Sequence, residues 1–395
     1  MEKACAGIMR LPQELVATII QENQKDKTTL RSCSLVTHSW TYPSQGPIFS
    51  RISFNRHQLS GNNDRFIERF RLLISVRPLL ATLVKAVEIS PLFDAQLLTH
   101  TLQQLVNLKC ISLNLCQSHW HELSQSMQDT LHDAFRSPQI TNVELQDGHF
   151  LHSADFSALI GTNAHLKQLS LSTISCEDLG VDQGAHESSL RLSSLALSLD
   201  DGSCLNLVRV LQASLSLSNL QCLSVLTTQP EYLAEHASTM KGILRQLNGR
   251  PLERLVVNVC LGEPLSGVLD ISRLRSIQIR LWWTRPERHT KPDEWLRWLS
   301  DSLKDLTRVE EITLEIFCAS SFTAYNEWGA LDAALERMLS LKRVYVNLDM
   351  YNSISGRWRL LREYPGTVRE DMRSVLPTVA SKGLLDVEIA ANYPG

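Results

Sequence analysis

The stretch LVNLKCISLNL, residues 105–115, places apolar side chains at every third position and then at every second position. The stretch LTRVEEITLEI, residues 306–316, repeats this pattern in the second half of the chain. Alternation of apolar and polar residues is typical of a strand with one buried face. Each stretch therefore predicts a strand whose apolar side chains point into a core.

Shorter versions of the pattern recur from residue 84 towards the C-terminus. The first apolar residue of each final pair stands at positions 87, 111, 143, 169, 195, 223, 255, 277, 312, 344 and 387. The spacing averages about 30 residues, close to the roughly 20–29 residues of a leucine-rich repeat, in which each unit has a strand and a helix. The last interval is the longest, which predicts an insertion before the final strand.

Helical patterns separate the predicted strands. In DEWLRWLSDSLKDL, residues 293–306, apolar side chains recur with the helical period. One strand–helix unit cannot bury its apolar surface alone, whereas stacked units can. The pattern therefore predicts a solenoid with a curved parallel sheet over residues 84–395. An ordinary α/β domain built from βα units is the alternative.

Composition limits the classes of function. Of 395 residues, 43% are hydrophobic and 21% are charged, and the formal net charge is −3, which favours neither nucleic acid nor an anionic membrane as a partner. The nine cysteines form no CxxC pair, and several lie in apolar runs. We therefore expect reduced thiols in an intracellular protein, cytoplasmic or nuclear. The chain contains no run of about 18 apolar residues, so no membrane span is expected.

The N-terminal stretch LPQELVATIIQENQKDKTTLRSCSLVTHSW, residues 11–40, does not follow the repeat. Pro12 suits the first turn of a helix, and Asp26 is the predicted N-cap of a second helix that runs to Trp40 and is ended by YPSQGP, residues 42–47. About forty residues rarely bury enough apolar surface to be stable alone. The unit therefore either caps the first repeat or docks on another protein. A cap would bury its apolar face against three residues of the next helical pattern, Phe66, Phe70 and Leu73.

Three motifs of this region resemble an F-box, in the style of the F-box and F-box-like proteins of mushroom-forming fungi. The motifs are L-P-x-E-L followed by I-I, then TLRSCSLVTHSW, and then PIFSRISF. The stretch FIERFRLLISVRPLLATLVKAVEI, residues 66–89, resembles the segment that joins the F-box to leucine-rich repeats in that family. The resemblance implies an α+β or α/β protein with an F-box-like helical domain at 8–50, a helical linker or N-terminal cap at 51–83, and irregular leucine-rich repeats at 84–395.

The resemblance also implies a partner. An F-box docks on the adaptor Skp1 of a cullin–RING ubiquitin ligase while the repeats hold the substrate, so this chain would be a substrate adaptor of such a complex. By motif position, the adaptor interface would comprise Leu11, Pro12, Leu15, Ile19, Leu35 and Trp40. Trp40 would either lie on that face or close the helical unit. The alternative is an interaction scaffold whose F-box-like helices only cap the solenoid.

The strand residues that flank each inward pair predict where a target protein binds. They face the open side of the sheet, which solenoids use for partners. They are small and mostly neutral in the early strands, whereas the late strands carry the Trp, Tyr and Arg residues that dominate interface hot spots. The predicted surface for an unknown target protein comprises Arg254, Arg280, Trp282, Glu315, Phe317 and Tyr345.

Motifs for catalysis, metals and nucleic acid do not support a further activity. The chain contains no P-loop, GxSxG, HExxH or GxGxxG motif, so we expect no catalytic residue and no cofactor. His119, His121 and His132 lack the i, i+4 spacing with which a helix presents two metal ligands, so no metal site is expected. The stretch RLWWTRPERHTK, residues 280–291, mixes basic and aromatic residues, but the net charge favours a strand and a solvated loop over a nucleic-acid site.

Overall fold

The computed structural model shows an α/β protein in which strands of a parallel sheet alternate with helices, as the repeat pattern predicts. It divides into an N-terminal unit, Met1–Leu166, and a C-terminal unit, Lys167–Gly395. The structure describes residues 11–24, 26–54, 64–90, 93–161, 163–178, 191–199, 206–207, 211, 217–227, 241–245, 247, 252–258, 271–283, 292–303, 308–318, 326–352, 359–360 and 365–389.

Three helices begin the described part of the N-terminal unit: α1 (Gln13–Glu22), α2 (Lys27–Ser34) and α3 (His38–Phe49). The predicted N-cap is confirmed, because the Asp26 carboxylate accepts hydrogen bonds from the backbone N–H groups of Thr28 and Thr29 at 2.9 and 3.0 Å. The helices share a small core, made of Val16, Ile20, Leu30 and Trp40 with Cys33 and Ile48 packed around it.

The prediction of one helix from Asp26 to Trp40 is wrong. The helix α2 ends at Ser34, and Trp40 lies in α3, which continues through the YPSQGP stretch although it contains two prolines. Proline lacks a backbone N–H and normally interrupts a helix. Here Trp40 near one end of α3 and Ile48 near the other pack on the same core, so tertiary packing overrides the local propensity.

Residues 51–83, predicted as a helical linker or cap, begin with a strand. The strand β1 (Arg51–Phe54) pairs in parallel with β2 (Ala86–Ile89), so it is the first strand of the sheet. Two helices follow it, α4 (Asp64–Val76) and α5 (Pro78–Leu83).

Phe54 explains why this short run forms a strand. Its side chain is buried, and its ring meets the rings of Phe66 and Phe70 edge-on, with centroids 5.9 and 5.6 Å away. The helix α4 therefore covers the inner face of β1, as a repeat helix covers its strand. Aromatic pairs of this geometry add to the stabilisation from area burial alone.

The rest of the N-terminal unit repeats strand and helix: β2, α6 (Ala95–Gln104), β3 (Cys110–His119), α7 (Gln125–Arg136), β4 (Asn142–His152) and α8 (Ser153–Gly161). The strands β1 to β4 pair in sequence order, and all are parallel. Val87, Ile111 and Val143 lie side by side in register and are buried, so the predicted repeat positions coincide in space.

The strands β3 and β4 continue past the apolar pair through a bend. Three residues there have positive φ angles: Cys116 (54°), Gln117 (63°) and Asp147 (51°). Gly148 follows the bend, and a Cβ on this glycine would lie 2.2 Å from the Cδ1 atom of Leu115, so a larger residue would displace that buried side chain. Apolar residues do not recur at a regular spacing in the bend, so the sequence pattern does not predict it.

The described strands of the C-terminal unit are β5 (Gln168–Asp178), β6 (Ser194–Leu199), β7 (Cys222–Thr227), β8 (Arg254–Asn258), β9 (Ser276–Trp283), β10 (Glu311–Cys318), β11 (Arg343–Asn352), β12 (Arg359–Leu360) and β13 (Leu385–Ile389). The strands β5 to β11 pair in sequence order and in parallel. The predicted positions 169, 195, 223, 255, 277, 312 and 344 form one continuous buried row across these strands.

The last strand is displaced from its predicted alignment. The strand β13 pairs with β11 so that Leu385, not Val387, lies beside Val344. The predicted insertion is confirmed, because this interval holds two helices, α11 (Pro365–Val375) and α12 (Pro377–Ser381), and the short strand β12, which pairs antiparallel with the end of β11.

The buried carboxylate of Asp332 joins the last helix, α12, to an earlier helix of the same unit. The C-terminal unit also contains α9 (Pro292–Leu303) and α10 (Trp328–Glu336). Asp332 of α10 is only 5% exposed, and its two oxygens accept hydrogen bonds from the backbone N–H groups of Thr378 and Val379 at 3.0 and 3.1 Å. These are unpaired donors at the start of α12, so Asp332 caps a helix that is distant in sequence.

Candidate functional site

The helices α1 and α2 expose a set of large apolar side chains. Leu15 and Ile19 are one helical turn apart, and they are 50% and 38% exposed. Leu35, just after α2, is 86% exposed. Leu11 and Pro12, before α1, are also exposed. We call Leu11, Pro12, Leu15, Ile19 and Leu35 the apolar face, and the structure places all five of these predicted adaptor residues on the surface.

Trp40, the sixth predicted adaptor residue, lies in the core of the three helices. It is 7% exposed and packs with Val16, Ile20 and Leu30. Of its two possible roles, the structure therefore supports closure of the helical unit. Val36 and Tyr42, which the predicted adaptor interface does not include, are also exposed.

The apolar face is not covered in the way that a cap requires. A cap would bury these side chains on Phe66, Phe70 and Leu73 of α4. Phe70 is buried, but it packs on Phe54 of β1, and Phe66 and Leu73 remain partly exposed. Among the described residues, the helical segment therefore keeps its apolar face open while its opposite side forms its own core.

The second candidate surface is the open face of the C-terminal sheet. Gln278 joins three predicted residues there. It accepts a hydrogen bond from Arg254 Nη2 at 3.4 Å, and its own Nε2 donates to Glu315 Oε1 at 2.6 Å. Arg280 forms an ion pair with the same Glu315. The four side chains therefore make one polar network across β8, β9 and β10, and only Gln278 was left out of the predicted surface.

Tyr345 lies in a neighbouring part of this face. The guanidinium carbon of Arg343 is 5.4 Å from the centre of the Tyr345 ring, which is a cation–π distance. Arg343 also forms an ion pair with Asp386 of β13. A cavity of about 550 Å³ opens beside these side chains, lined by Glu311, Ile312, Thr313, Arg343, Tyr345, Arg369, Asp386, Val387 and Glu388.

Trp282 and Phe317 occupy paired positions on β9 and β10, next to the polar network in the register of the sheet. Their side chains lie outside the described part of the structure. Register alone therefore brings all six predicted target-binding residues to adjacent strands, whereas contacts are seen for Arg254, Arg280, Glu315 and Tyr345.

At the edge of the same sheet, Glu310 is held between two cations. Lys342 Nζ lies 2.8 Å from one Glu310 oxygen, and Arg275 Nη2 lies 3.1 and 3.2 Å from the two oxygens. These hydrogen bonds, that of Lys342 foremost, lower the pKa of the Glu310 carboxyl below its ordinary value. These three side chains form an exposed link between the starts of β9, β10 and β11.

Neither a metal-binding group nor a membrane-spanning helix is found among the described residues. Within the described ranges, no group of three or more His, Cys, Asp or Glu side chains is placed to hold a metal ion. The rings of His119 and His121 lie 5.3 Å apart, and the ring of His132 lies edge-on to that of Trp120. None of the described helices is long and apolar enough to cross a membrane.

Comparison with known proteins adds no relative. The chain matches no protein-family model and no curated protein. A functional conclusion therefore rests on the chain's own residues: the apolar face of α1 and α2, and the polar network on the C-terminal sheet.

Proposed function

We propose that this chain is a non-enzymatic, substrate-recruiting subunit of a Skp1–cullin–RING ubiquitin ligase. In this proposal, residues 8–50 are an F-box-like domain that binds a Skp1-like adaptor. Residues 84–395 form a curved leucine-rich-repeat solenoid that binds a target protein. Ubiquitin transfer itself belongs to other subunits, and the complex acts in the cytoplasm or nucleus.

The exposed apolar face is the observation that carries the proposal. Neighbouring large apolar side chains that stay exposed on a folded protein mark an interaction surface. Leu15, Ile19 and Leu35 belong to the motifs that resemble an F-box, and their exposure is what docking requires. Full burial of one such side chain stabilises a complex by about 1.5–3 kcal/mol, so a few of them support a stable association.

The polar network on the C-terminal sheet supports a role in target binding. Arg254, Arg280 and Tyr345 are residue types that anchor interfaces, and Glu315 with Gln278 holds the arginines in place before a target arrives. Side chains that are already ordered lose less entropy on binding. We therefore assign the target to the open face of β8 to β11.

Co-purification with Skp1 tests adaptor docking. We expect the full chain to retain Skp1 on an affinity column, and Leu35→Glu to abolish this retention, because a charge in an apolar interface is costly to desolvate. Leu72→Glu is a matched control, because Leu72 is an exposed leucine as well, 59% exposed, but lies on α4 outside the apolar face. It should bind Skp1 normally.

Two results would count against adaptor docking. If the folded wild-type chain does not bind Skp1, the scaffold with a helical cap becomes the better description. If Leu35→Glu and Leu72→Glu reduce retention equally, the effect is not specific to the apolar face.

Target binding is tested on the same complexes. The Arg254→Ala, Tyr345→Ala variant should lose proteins that co-purify with the wild type while it retains Skp1. Arg373→Ala, an exposed arginine on α11, serves as the control and should keep them. Unchanged capture by the double variant would remove these residues from the target surface.

A further inference from the structure

The cavity of about 550 Å³ beside Tyr345 lies at the last strands of the C-terminal unit. Three strands, β10, β11 and β13, contribute most of its lining, and α11 contributes Arg369. We call it the Tyr345 cavity. Ligand pockets in proteins have volumes of roughly 300–1,000 Å³, so this cavity has room for a short segment of another polypeptide.

The Tyr345 ring and the acidic groups of β13 share one side of the sheet. Val344 and Val346, on either side of Tyr345, are buried in the core, so the ring points to the open face. Asp386 is the partner of Tyr345 in register, and Glu388 stands two residues further along β13. One strand spacing and two residues along the strand put the Cα atoms of Tyr345 and Glu388 about 8 Å apart, within reach of one bound side chain.

The Tyr345 ring already holds one guanidinium. The guanidinium carbon of Arg343 is 5.4 Å from the ring centre, and Arg343 also forms an ion pair with Asp386. The described residues show no second cation on this ring. A cation between an aromatic ring and a carboxylate is a favourable arrangement, so the chain itself shows which kind of group this lining holds.

Two other carboxylates of the lining have no partner. Glu388 of β13 and Glu311 of β10 are exposed, and among the described residues neither side chain forms a hydrogen bond or an ion pair. Arg275 is close enough for Glu311 to contribute to its raised pKa, although Glu310 is the main cause. The Arg275 guanidinium is hydrogen-bonded to both Glu310 oxygens at 3.1 and 3.2 Å, so Glu311 keeps its own oxygens available.

Negative charge exceeds positive charge in the Tyr345 cavity. Arg343 and Asp386 neutralise each other. Among the described residues that line the cavity, this leaves Glu311 and Glu388 with a single further cation, Arg369, which is exposed and forms no ion pair. The lining therefore suits a ligand that brings one positive charge.

We propose that the Tyr345 cavity binds a lysine or arginine side chain of the target protein. The incoming cation lies against the side of the Tyr345 ring that Arg343 leaves open, and it donates a hydrogen bond to the Glu388 carboxylate. Glu311 attracts it from the other end of the lining. The alkyl part of the side chain packs on Val387, as the stems of long cationic side chains do on apolar surface.

The subsite rests on the proposed target-binding role of the C-terminal sheet and adds the residue type that the target supplies. Peptide binding to the isolated chain needs neither Skp1 nor the target, so the two proposals fail separately. If basic peptides do not bind while Arg254→Ala, Tyr345→Ala still releases the target proteins, only the subsite is rejected. If basic peptides bind but the wild type captures no target, the subsite stands and the recruiting role is rejected.

The test uses the full chain and four blocked peptides at low ionic strength, where exposed charges are least screened. The probes are acetyl-Gly-Lys-Gly-amide and its arginine, citrulline and glutamate equivalents. Methyl NMR signals of Ile312 and Val387, which line the cavity, report binding, and those of Ile111 and Val143 in the N-terminal unit are the internal control.

We expect the lysine and arginine peptides to shift the Ile312 and Val387 signals and to leave the Ile111 and Val143 signals in place. The citrulline peptide keeps the shape of arginine without its charge and should have no effect. Equal binding of the citrulline peptide, or preferential binding of the glutamate peptide, would overturn the proposal, since the first removes the role of charge and the second makes Arg369 the recognition group.

Charge variants locate the cation. Glu388→Gln should weaken the lysine peptide about fivefold and Glu311→Gln about twofold, because only Glu388 contacts the cation directly. Glu336→Gln, an exposed acid on α10 outside the lining, should change nothing. Arg369→Ala removes a like charge and should tighten the peptide about twofold, whereas Arg373→Ala on the same helix should not. Unchanged affinity in Glu388→Gln would reject the assignment.

Two substitutions of Tyr345 separate the ring from the hydroxyl. Tyr345→Phe keeps a ring for the cation and should bind the lysine peptide as the wild type does, whereas Tyr345→Leu should bind it about threefold more weakly. The Ile111 and Val143 signals show whether each variant is folded. If a folded Tyr345→Leu variant binds as tightly as Tyr345→Phe, the ring has no part in the site and the proposal is wrong.

Discussion

Apolar residues have different surroundings in the helices at the N-terminus and in the strands of the repeats. In β10, Ile312 and Leu314 are completely buried. In α1 and its flanks, Val16 and Ile20 are buried, but Leu15 is half exposed. A strand inside a parallel sheet has a neighbour on each side and a helix on its inner face. Among the described residues, the three short helices leave Leu15, Ile19 and Leu35 exposed.

The difference separates two uses of the same residue types. The apolar residues of the strands stabilise the fold, because the stacked units bury them completely. The large apolar side chains of α1 and α2 that their own core does not bury, Leu15, Ile19 and Leu35, are the basis of the proposed docking. Substitutions in the two regions should therefore affect different measurements.

Trp40→Ala should have the largest effect. Removal of a buried tryptophan costs about 3–5 kcal/mol, and the core around Trp40 has few other residues to compensate. We expect α1 to α3 to lose protection in amide hydrogen exchange while β2 to β4 keep theirs. Tyr42→Ala, at an exposed aromatic two residues away, should leave exchange unchanged. Equal loss in the sheet would mean that the helices and repeats unfold together.

Leu314→Ala comes next and tests the repeat side of the comparison. The side chain is 0% exposed on β10, so its truncation should lower the free energy of unfolding by about 3 kcal/mol, measured by urea denaturation. Leu15→Ala should change it by less than about 0.5 kcal/mol, since exposed positions rarely affect stability. Similar losses in both variants would show that Leu15 is buried in the free protein.

Asp332→Ala should have a moderate effect at the end of the repeats. The substitution leaves two backbone N–H groups at the start of α12, one buried and one part-buried, without an acceptor, which costs about 1–3 kcal/mol. Glu336→Ala, an exposed acid on the same helix, is the control. The thermal midpoint and the exchange of α12 amides give the readout. A stable Asp332→Ala variant with a protected α12 would contradict the capping role.

Periodicity predicts the strands well, because the spacing of apolar residues in a repeat directly reflects the stacking of strands. Positions 87 to 344 all fall in strands, and they align in register within each unit. Features that depend on single long-range contacts are not predictable in this way. The helix α3 continues through two prolines because Trp40 and Ile48 pack on one core. The register of β13 follows an insertion, and the length of an insertion is not part of the repeat spacing.

The candidate sites show the same division. The exposure of Leu15, Ile19 and Leu35 agrees with their motif positions, but motif position alone did not assign Trp40 to the core. On the sheets, the sequence predicts which residues face the open side, but it does not predict which of them contact each other. Glu388 looks like one more exposed acid in the sequence, and only the pairing of β13 with β11 sets it near Tyr345.

The smallest expected effect concerns the start of α2 and is a dependence on pH. A hydrogen bond from the Thr29 hydroxyl at 2.6 Å, with those from the backbone of Thr29 and Thr28, lowers the pKa of the Asp26 carboxyl. A lowered pKa in the folded state means that the stabilisation is complete above the ordinary aspartate pKa, about 4, and is lost as the pH falls through the folded value.

We therefore expect the NMR shifts of α2 to be constant from neutral pH down to about 4 and to move towards coil values below it. Asp26→Asn keeps an acceptor for the backbone but cannot titrate, so its α2 shifts should stay flat over the same range. If the asparagine variant frays in acid as the wild type does, the carboxylate is not the cause. The exposed apolar face depends on α2 and α1 staying folded, so adaptor binding would weaken in the same acid range in the wild type only.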